Sequence, residues 1–180
     1  MNKKFKHLML DLETLGNVSY SVILAIGAVE FDLDSGEYGN TFYKIINIDS
    51  CLKHDFVING STLKWWMQQN DEAKKELFTK EGVDIKIVLD EFSGFCHNKD
   101  YEVWGNSARF DAGILRDAYD KLSMPIPWDF RKERDVRTLV SFAPEIKENH
   151  EFKNIPHHSI FDCMNQIDYC SKIWNKLKNK

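Results

Sequence analysis

The sequence predicts a single α/β domain built on a mixed sheet, and three observations carry that expectation. Its first stretches alternate apolar and polar side chains with the period of a strand. Beyond the third such stretch, apolar residues recur at helical spacing instead. No internal repeat, low-complexity tract or linker interrupts the 180 residues, a length that suits one core.

Residues 5–13 place Leu8, Leu10 and Leu12 on one face of a strand and Met9, Asp11 and Glu13 on the other. A longer strand from Val22 to Leu33 closes in the turn signal Asp34-Ser35-Gly36, and Asn40 to Ile48 form its hairpin partner. Three antiparallel strands in a row make a meander. Next, Ser61 or Thr62 caps a helix carrying Leu63, Trp65, Trp66 and Met67. Asp84 caps another, with Ile85, Val88, Leu89, Phe92, Phe95 and Cys96 as its apolar stripe. Tyr101 to Trp104 make a short strand that stops at Gly105. A helix bearing Ile114, Leu115, Ala118, Tyr119 and Leu122 follows and ends before Pro125 and Pro127. Asp135 to Phe142 form a short helix, Pro144 to Pro156 a polar loop, and Ser159 to Lys178 a long last helix.

Composition excludes several classes. With 43% hydrophobic residues, 12 Phe and 5 Trp, the chain is not disordered. Its longest uncharged apolar run, Val22 to Val29, falls far short of the ~18 residues that a membrane span needs. Lys3, Lys4 and Lys6 imitate the basic head of a secretory signal, but Asp11 breaks the apolar stretch at once, so no signal is expected. Cys51, Cys96, Cys163 and Cys170 show neither CxxC pairing nor zinc spacing and read as reduced thiols of a cytoplasmic protein. A net charge of −4 lacks the basic footprint of a protein that grips long duplex. It leaves room for one that holds only a strand end, with metal ions supplying positive charge.

Four acids stand out for where they lie. Asp11 and Glu13 leave the first strand by the same face, and a first strand in such a domain is usually central, with helices over both faces. Carboxylates buried there are expensive unless paired or bound to a cation. Asp111 opens the helix after the short strand, within Asn106-Ser-Ala-Arg-Phe-Asp111. Asp162 lies in the first turn of the last helix, after His157-His158-Ser159. Oxygen donors of this kind suit magnesium or manganese rather than zinc. Each acid alone has a plainer reading: a solvated strand face, a helix-dipole partner at Asp111, a capping box Ser159-Ile-Phe-Asp162. Their conjunction in chain order argues for a site.

That order, Asp11-x-Glu13, then Asp111 after Asn106, then His157-x-x-x-x-Asp162, resembles the DEDDh 3′–5′ exonucleases of the ribonuclease H-like superfamily. It is most similar to the phage and prophage exonucleases and their bacterial exoribonuclease relatives. The pieces that carry the likeness are Asp11-Leu-Glu-Thr-Leu-Gly16, Trp104-Gly-Asn-Ser-Ala-Arg-Phe-Asp111, Arg134-Asp-Val-Arg-Thr-Leu139 and the last His–Asp segment. Together they span nearly the whole chain. The spacing selects His157 over His158, which at most orients the loop or touches phosphate.

The resemblance implies a ribonuclease H-like fold with a mixed sheet of about five strands, and hydrolysis from the 3′ end of single-stranded RNA or DNA. It implies two divalent ions, Mg²⁺ or Mn²⁺, with Asp11 bridging both, Glu13 and Asp162 completing the first, and Asp111 serving the second. Glu13 thus counts among the catalytic residues beside His157, the general base for the attacking water. An unperturbed imidazole pKa of about 6.5 suits that task. The segment Thr14-Leu15-Gly16-Asn17 would meet the 3′-terminal nucleotide, with Leu15 as an apolar wedge. Phe110, Trp65 and Trp66 are candidates for stacking on bases, and the adjacent tryptophans fit a helix core equally well. Arg109, Arg131, Lys132, Arg134 and Arg137 are candidate phosphate contacts or members of an ion-paired face. Many relatives are homodimers, so a dimer is compatible with the chain.

Overall fold

A computed structural model describes residues 5–96, 100–154 and 156–179, so that Lys3 and Lys4 lie outside it. Five strands form one sheet in the order β3-β2-β1-β4-β5. β1 (His7–Thr14) pairs antiparallel with β2 (Ile23–Phe31), and β2 with β3 (Tyr38–Ile45). On its other edge β1 runs parallel to β4 (Glu102–Gly105), and β4 parallel to β5 (Glu133–Asp135). The expected meander, the mixed sheet and the central first strand are all present.

Each face of β1 supports its own core. Leu8, Leu10 and Leu12 pack with Val88, Leu89 and Phe92 of α4 (Ile85–Phe95) and with Leu115 and Tyr119 of α5 (Asp111–Lys121). Met9 faces the opposite way, joining Cys163, Ile167 and Cys170 of α8 (Ser159–Lys178) and Val136 and Leu139 of α6 (Val136–Val140). Each fully buried leucine of this kind contributes about 1.5–3 kcal/mol. Asp11 and Glu13 sit on the α8 side, at the carboxyl end of the strand.

Gly27 of β2 is the cross-strand partner of Asp11. A Cβ there would fall 2.4 Å from Ser159 Oγ and 2.8 Å from the Ser159 carbonyl carbon. The bare strand lets the first turn of α8 lie directly on the sheet.

Several boundaries differ from the sequence reading. The helix α2 (Gly60–Gln68) is capped by Asn59, whose side chain accepts from the Ser61 and Thr62 N–H groups, not by Ser61 or Thr62. The stretch 144–156 is not all loop, since α7 (Pro144–Glu148) starts on its proline. Helix α1 (Ile48–Leu52), α3 (Asp71–Thr79) and the three-residue β5 were not foreseen. No Ser159 capping box forms. Residue 158 is the N-cap without a side-chain bond, and the Ser159 hydroxyl is buried with no partner. Among the described residues no helix is long and apolar enough to cross a membrane.

Candidate active site

β1 and β4 run parallel, and beyond their carboxyl ends the chain turns into loops and helices, the place where parallel sheets bind ligands. A cavity of about 450 Å³ opens there, lined by Asp11, Glu13, Asn106, His157, Asp162 and Gln166 among others. One oxygen each from Asp11, Glu13 and Asp162 lies within 4.8 Å of the other two. Strand geometry sets the first pair, and the α8 first turn, seated over Gly27, delivers the third.

Asp111 lies outside that group of three but close enough for its charge to act on Asp11 and Glu13. Pairing of β4 with β1 ends at Leu10 and Gly105, leaving the Leu12 N–H facing no strand. Asp111 Oδ1 accepts that N–H at 3.1 Å, which hooks the start of α5 to β1. The loop between β4 and α5 has a second tether. Asp135 Oδ2 accepts from Ala108 N at 2.9 Å while its Oδ1 caps α6 through Thr138 N at 2.7 Å. One side chain thereby fixes the loop that carries Asn106, Phe110 and Asp111.

The electrostatics are those of crowded, buried acids. Burial, then the charges of Asp111, Glu13 and Asp162, push Asp11 well above the usual carboxylate range. Burial and neighbouring acids raise Glu13 to about 8. Burial alone outweighs the backbone donors at Asp111, which rises to about 7, and at Asp162, which rises to about 6. Glu13 Oε1 is buried with no hydrogen-bond partner, although its neighbours are other acids. Hard oxygen donors this close, one of them orphaned, fit a divalent cation that would neutralise them.

His157 stands at the edge of the same cavity in a left-handed backbone conformation, φ 63°. Its N–H donates to Asp162 Oδ2 at 3.1 Å. Its ring meets Trp65 edge-on at 4.9 Å and Trp66 at 6.0 Å between centroids. Trp66 is itself anchored, donating Nε1–H to the Thr14 carbonyl at 2.8 Å. Burial lowers the pKa of His157, favouring the neutral imidazole that can accept a proton.

Other expected contacts need correcting. Leu15 is not a free wedge: only 2% exposed, it packs in the core with Leu10 and Leu12. Trp65 and Trp66 both line the cavity, Trp66 buried at 2% exposure and Trp65 keeping 40%. Thr14 lines the cavity although buried, its hydroxyl donating to the Gly16 carbonyl, and a Cβ on Gly16 would meet Ser21 Oγ at 2.5 Å. Asn17 lines a neighbouring hollow instead. Asn106 and Phe110 do line the cavity. His158 does not. It stacks on Tyr43 at 4.6 Å and reaches Glu76 of α3 at 3.4 Å. Arg131, Lys132 and Arg134 are ion-paired with Asp129, Asp100 and Glu102.

The structure also brings in residues the sequence reading passed over. Gln166, one turn after Asp162 on α8 and 4% exposed, donates Nε2–H to Asp11 Oδ1 at 3.0 Å. Its own Oε1 is buried without a partner. The i, i+4 spacing from Asp162 was the available signal. Lys147 and Phe152 come from the stretch read as loop, and Tyr169 from the inner face of α8.

Residues 6–174 match the description "3′–5′ exoribonuclease Rv2179c-like domain". The chain is 23% identical to the exodeoxyribonuclease of Enterobacteria phage T4, over 88% of this chain and 85% of that protein. The nuclease domain of 3′hExo, a DEDDh family member bound to rAMP, superposes with a TM-score of 0.62 at 10% identity, over 98% of this chain and 95% of that one. S. pombe Pop2p, in a form with Mg²⁺ and Mn²⁺ bound, gives 0.65 at 12% identity, over 97% and 85%. E. coli exonuclease I in complex with an oligonucleotide gives 0.67 at 13% identity, with 98% of this chain covering 42% of that longer one. At such identities these structures share the fold, which is ribonuclease H-like. With the matched profile running from β1 into α8, the chain belongs to the Rv2179c-like 3′–5′ exoribonuclease domain family and is a 3′–5′ exonuclease.

Proposed function

We propose that the protein hydrolyses single-stranded RNA or DNA from its 3′ end, releasing nucleoside monophosphates one at a time. The observation that carries this reading is the convergence of Asp11, Glu13 and Asp162 within 4.8 Å, with His157 on the same cavity. Asp11, Glu13 and Asp162 would hold one divalent ion, and Asp11 with Asp111 a second. Bound there, Mg²⁺ or Mn²⁺ supplies Lewis-acid polarisation of the phosphate and charge neutralisation at the leaving oxygen.

The chain's own residues do the rest. Neutral His157 accepts the proton of the attacking water, held in place by its backbone bond to Asp162 and by the tryptophans behind it. Trp65, Asn106 and Phe110 form the wall against which a terminal nucleotide rests. The family description names an exoribonuclease and the phage relative an exodeoxyribonuclease, so both sugars belong in the test. Incubated with 5′-labelled single strands of RNA and DNA and Mn²⁺ or Mg²⁺, the protein should shorten at least one of them stepwise, and EDTA should stop it. Strands left intact, or an EDTA-resistant ladder, would overturn the reading.

A further inference from the structure

Beside the active-site cavity lies a second hollow of about 730 Å³, and the two share Phe110 and Arg137 in their walls. One side of it is the β1–β2 loop, with Asn17 and Ser19. The opposite side is the start of α5 and the loop before it, with Ser107, Arg109, Ile114 and Asp117. The hollow therefore continues the active-site cavity past Phe110.

Its arginines differ from the other arginines of the chain. Arg116, Arg131 and Arg134 are each held by a carboxylate at 3.2–3.6 Å. Arg109 and Arg137 are exposed and form no ion pair among the described residues. Two guanidinium groups thus keep their donor forks open along one groove, an arrangement suited to phosphate oxygens. Asp117, half-buried on the α5 side, is the opposing carboxylate. As an acceptor it suits sugar hydroxyls or base amino groups, and at the seam the Arg137 charge also acts on Asp111 and Asp135, drawing both carboxyls downward. Phe110, partly buried, adds apolar surface for a sugar or base face.

We propose that this groove holds the nucleotides lying 5′ to the bond being cut, with Arg137 gripping phosphate at the seam and Arg109 gripping the next one along. This rests on the exonuclease reading above and deepens it: the preferred substrate is a strand of several nucleotides, not a dinucleotide. Contacts to phosphate and sugar position a strand without reading its sequence, so little base preference is expected.

The test compares three substrates with Mn²⁺: the p-nitrophenyl ester of thymidine 5′-monophosphate, a dinucleotide and a hexanucleotide. The ester fills the active-site cavity and leaves the groove empty. Wild-type kcat/KM should rise about tenfold from dinucleotide to hexanucleotide, the worth of one charge-assisted hydrogen bond. Arg109→Glu and, from the other wall, Ser19→Asp should each lower kcat/KM on the hexanucleotide about tenfold more than on the ester. The salt dependence of hexanucleotide KM should flatten by roughly 0.7 per lost phosphate contact. Equal losses on ester and hexanucleotide, or no gain with length, would overturn the groove while leaving the exonuclease intact. Failure to cleave any of the three would bring down the exonuclease reading and the groove with it.

Discussion

At the amino-terminal end of the central strand, a cavity of about 580 Å³ is lined by His7, Asp34, Glu102, Arg134, Trp174 and Lys178, among others. Arg134 pairs with Glu102 at 3.2 Å, while Lys178 and the Trp174 N–H both reach Asp34 at 2.7 Å. His7 Nδ1 accepts from Trp104 Nε1, so the imidazole is neutral, as burial also favours. Lys178 and Trp174 hold Asp34 below the usual carboxylate range. At the carboxyl end of the same strand, Asp11, Glu13, Asp111 and Asp162 are all pushed upward instead. The contrast separates acids held down by cationic and N–H partners from acids raised by burial and by one another. Equal abundance of charge at the two ends says nothing; whether the charge is balanced says what each end is for.

That contrast can be broken or sharpened, beginning with chemistry. Asp11→Asn should lower kcat at saturating Mn²⁺ by roughly 10³–10⁴-fold, since several kcal/mol of charge stabilisation depend on the ions it holds. In the metal-free protein the same change should raise Tm by about 2–4 °C, equivalent to about 1 kcal/mol of relieved repulsion. A fall in Tm would show that the four acids do not oppose folding. His157→Ala should cost about 10²–10³-fold in kcat. Because burial lowers its pKa, the acid limb of the wild-type pH–rate profile should lie below about 6.5, the unperturbed value. A profile that keeps that limb in the alanine variant would assign the base elsewhere.

Gln166→Leu tests the neutral amide that steadies Asp11. Partners of this kind are worth about 10–100-fold in metal affinity, so Mn²⁺ binding measured by calorimetry should weaken by that much. Unchanged affinity would leave the hydrogen bond without consequence.

The pH dependence of stability has a definite sign. Glu13, Asp111 and Asp162 have folded pKa values raised to about 8, 7 and 6. Their contribution is fully present below the unfolded values near 4 and is lost as pH rises through 6 to 8. Tm of the metal-free protein should therefore fall between pH 5 and 8, and Mn²⁺ should remove most of the slope. A flat metal-free profile would contradict the crowding of charge. The smallest effect belongs to the balanced end, where Glu102→Gln breaks a half-exposed pair and should lower stability by at most about 1 kcal/mol, with activity preserved.

The sequence revealed what depends on periodicity and local spacing. Alternation in β1 put Asp11 and Glu13 on one face, and the expectation of helices over both faces of that strand agrees with the two apolar clusters found on either side of it. The stripe of α4 and the Asp84 cap were legible for the same reason. The wedge role of Leu15 came from the resemblance, whereas in the chain itself a register shift between Glu13 and Thr14 interrupts β1 just before it. Its N–H and carbonyl then bond to Val22 and Asn59, drawing the side chain into the core rather than toward the cavity. β5 spans three residues, too few for any period to show. Gln166 and Asp135 matter through bonds to residues 155 and 27 positions away, which no local pattern encodes.

Gly27 makes a last point about distance and tolerance. The position touches no candidate substrate and carries no functional group, yet a single methyl placed on it would collide with the backbone that brings Asp162 to Asp11. Hydrogen at that one carbon thus sets the spacing between two acids that lie on different elements of the fold.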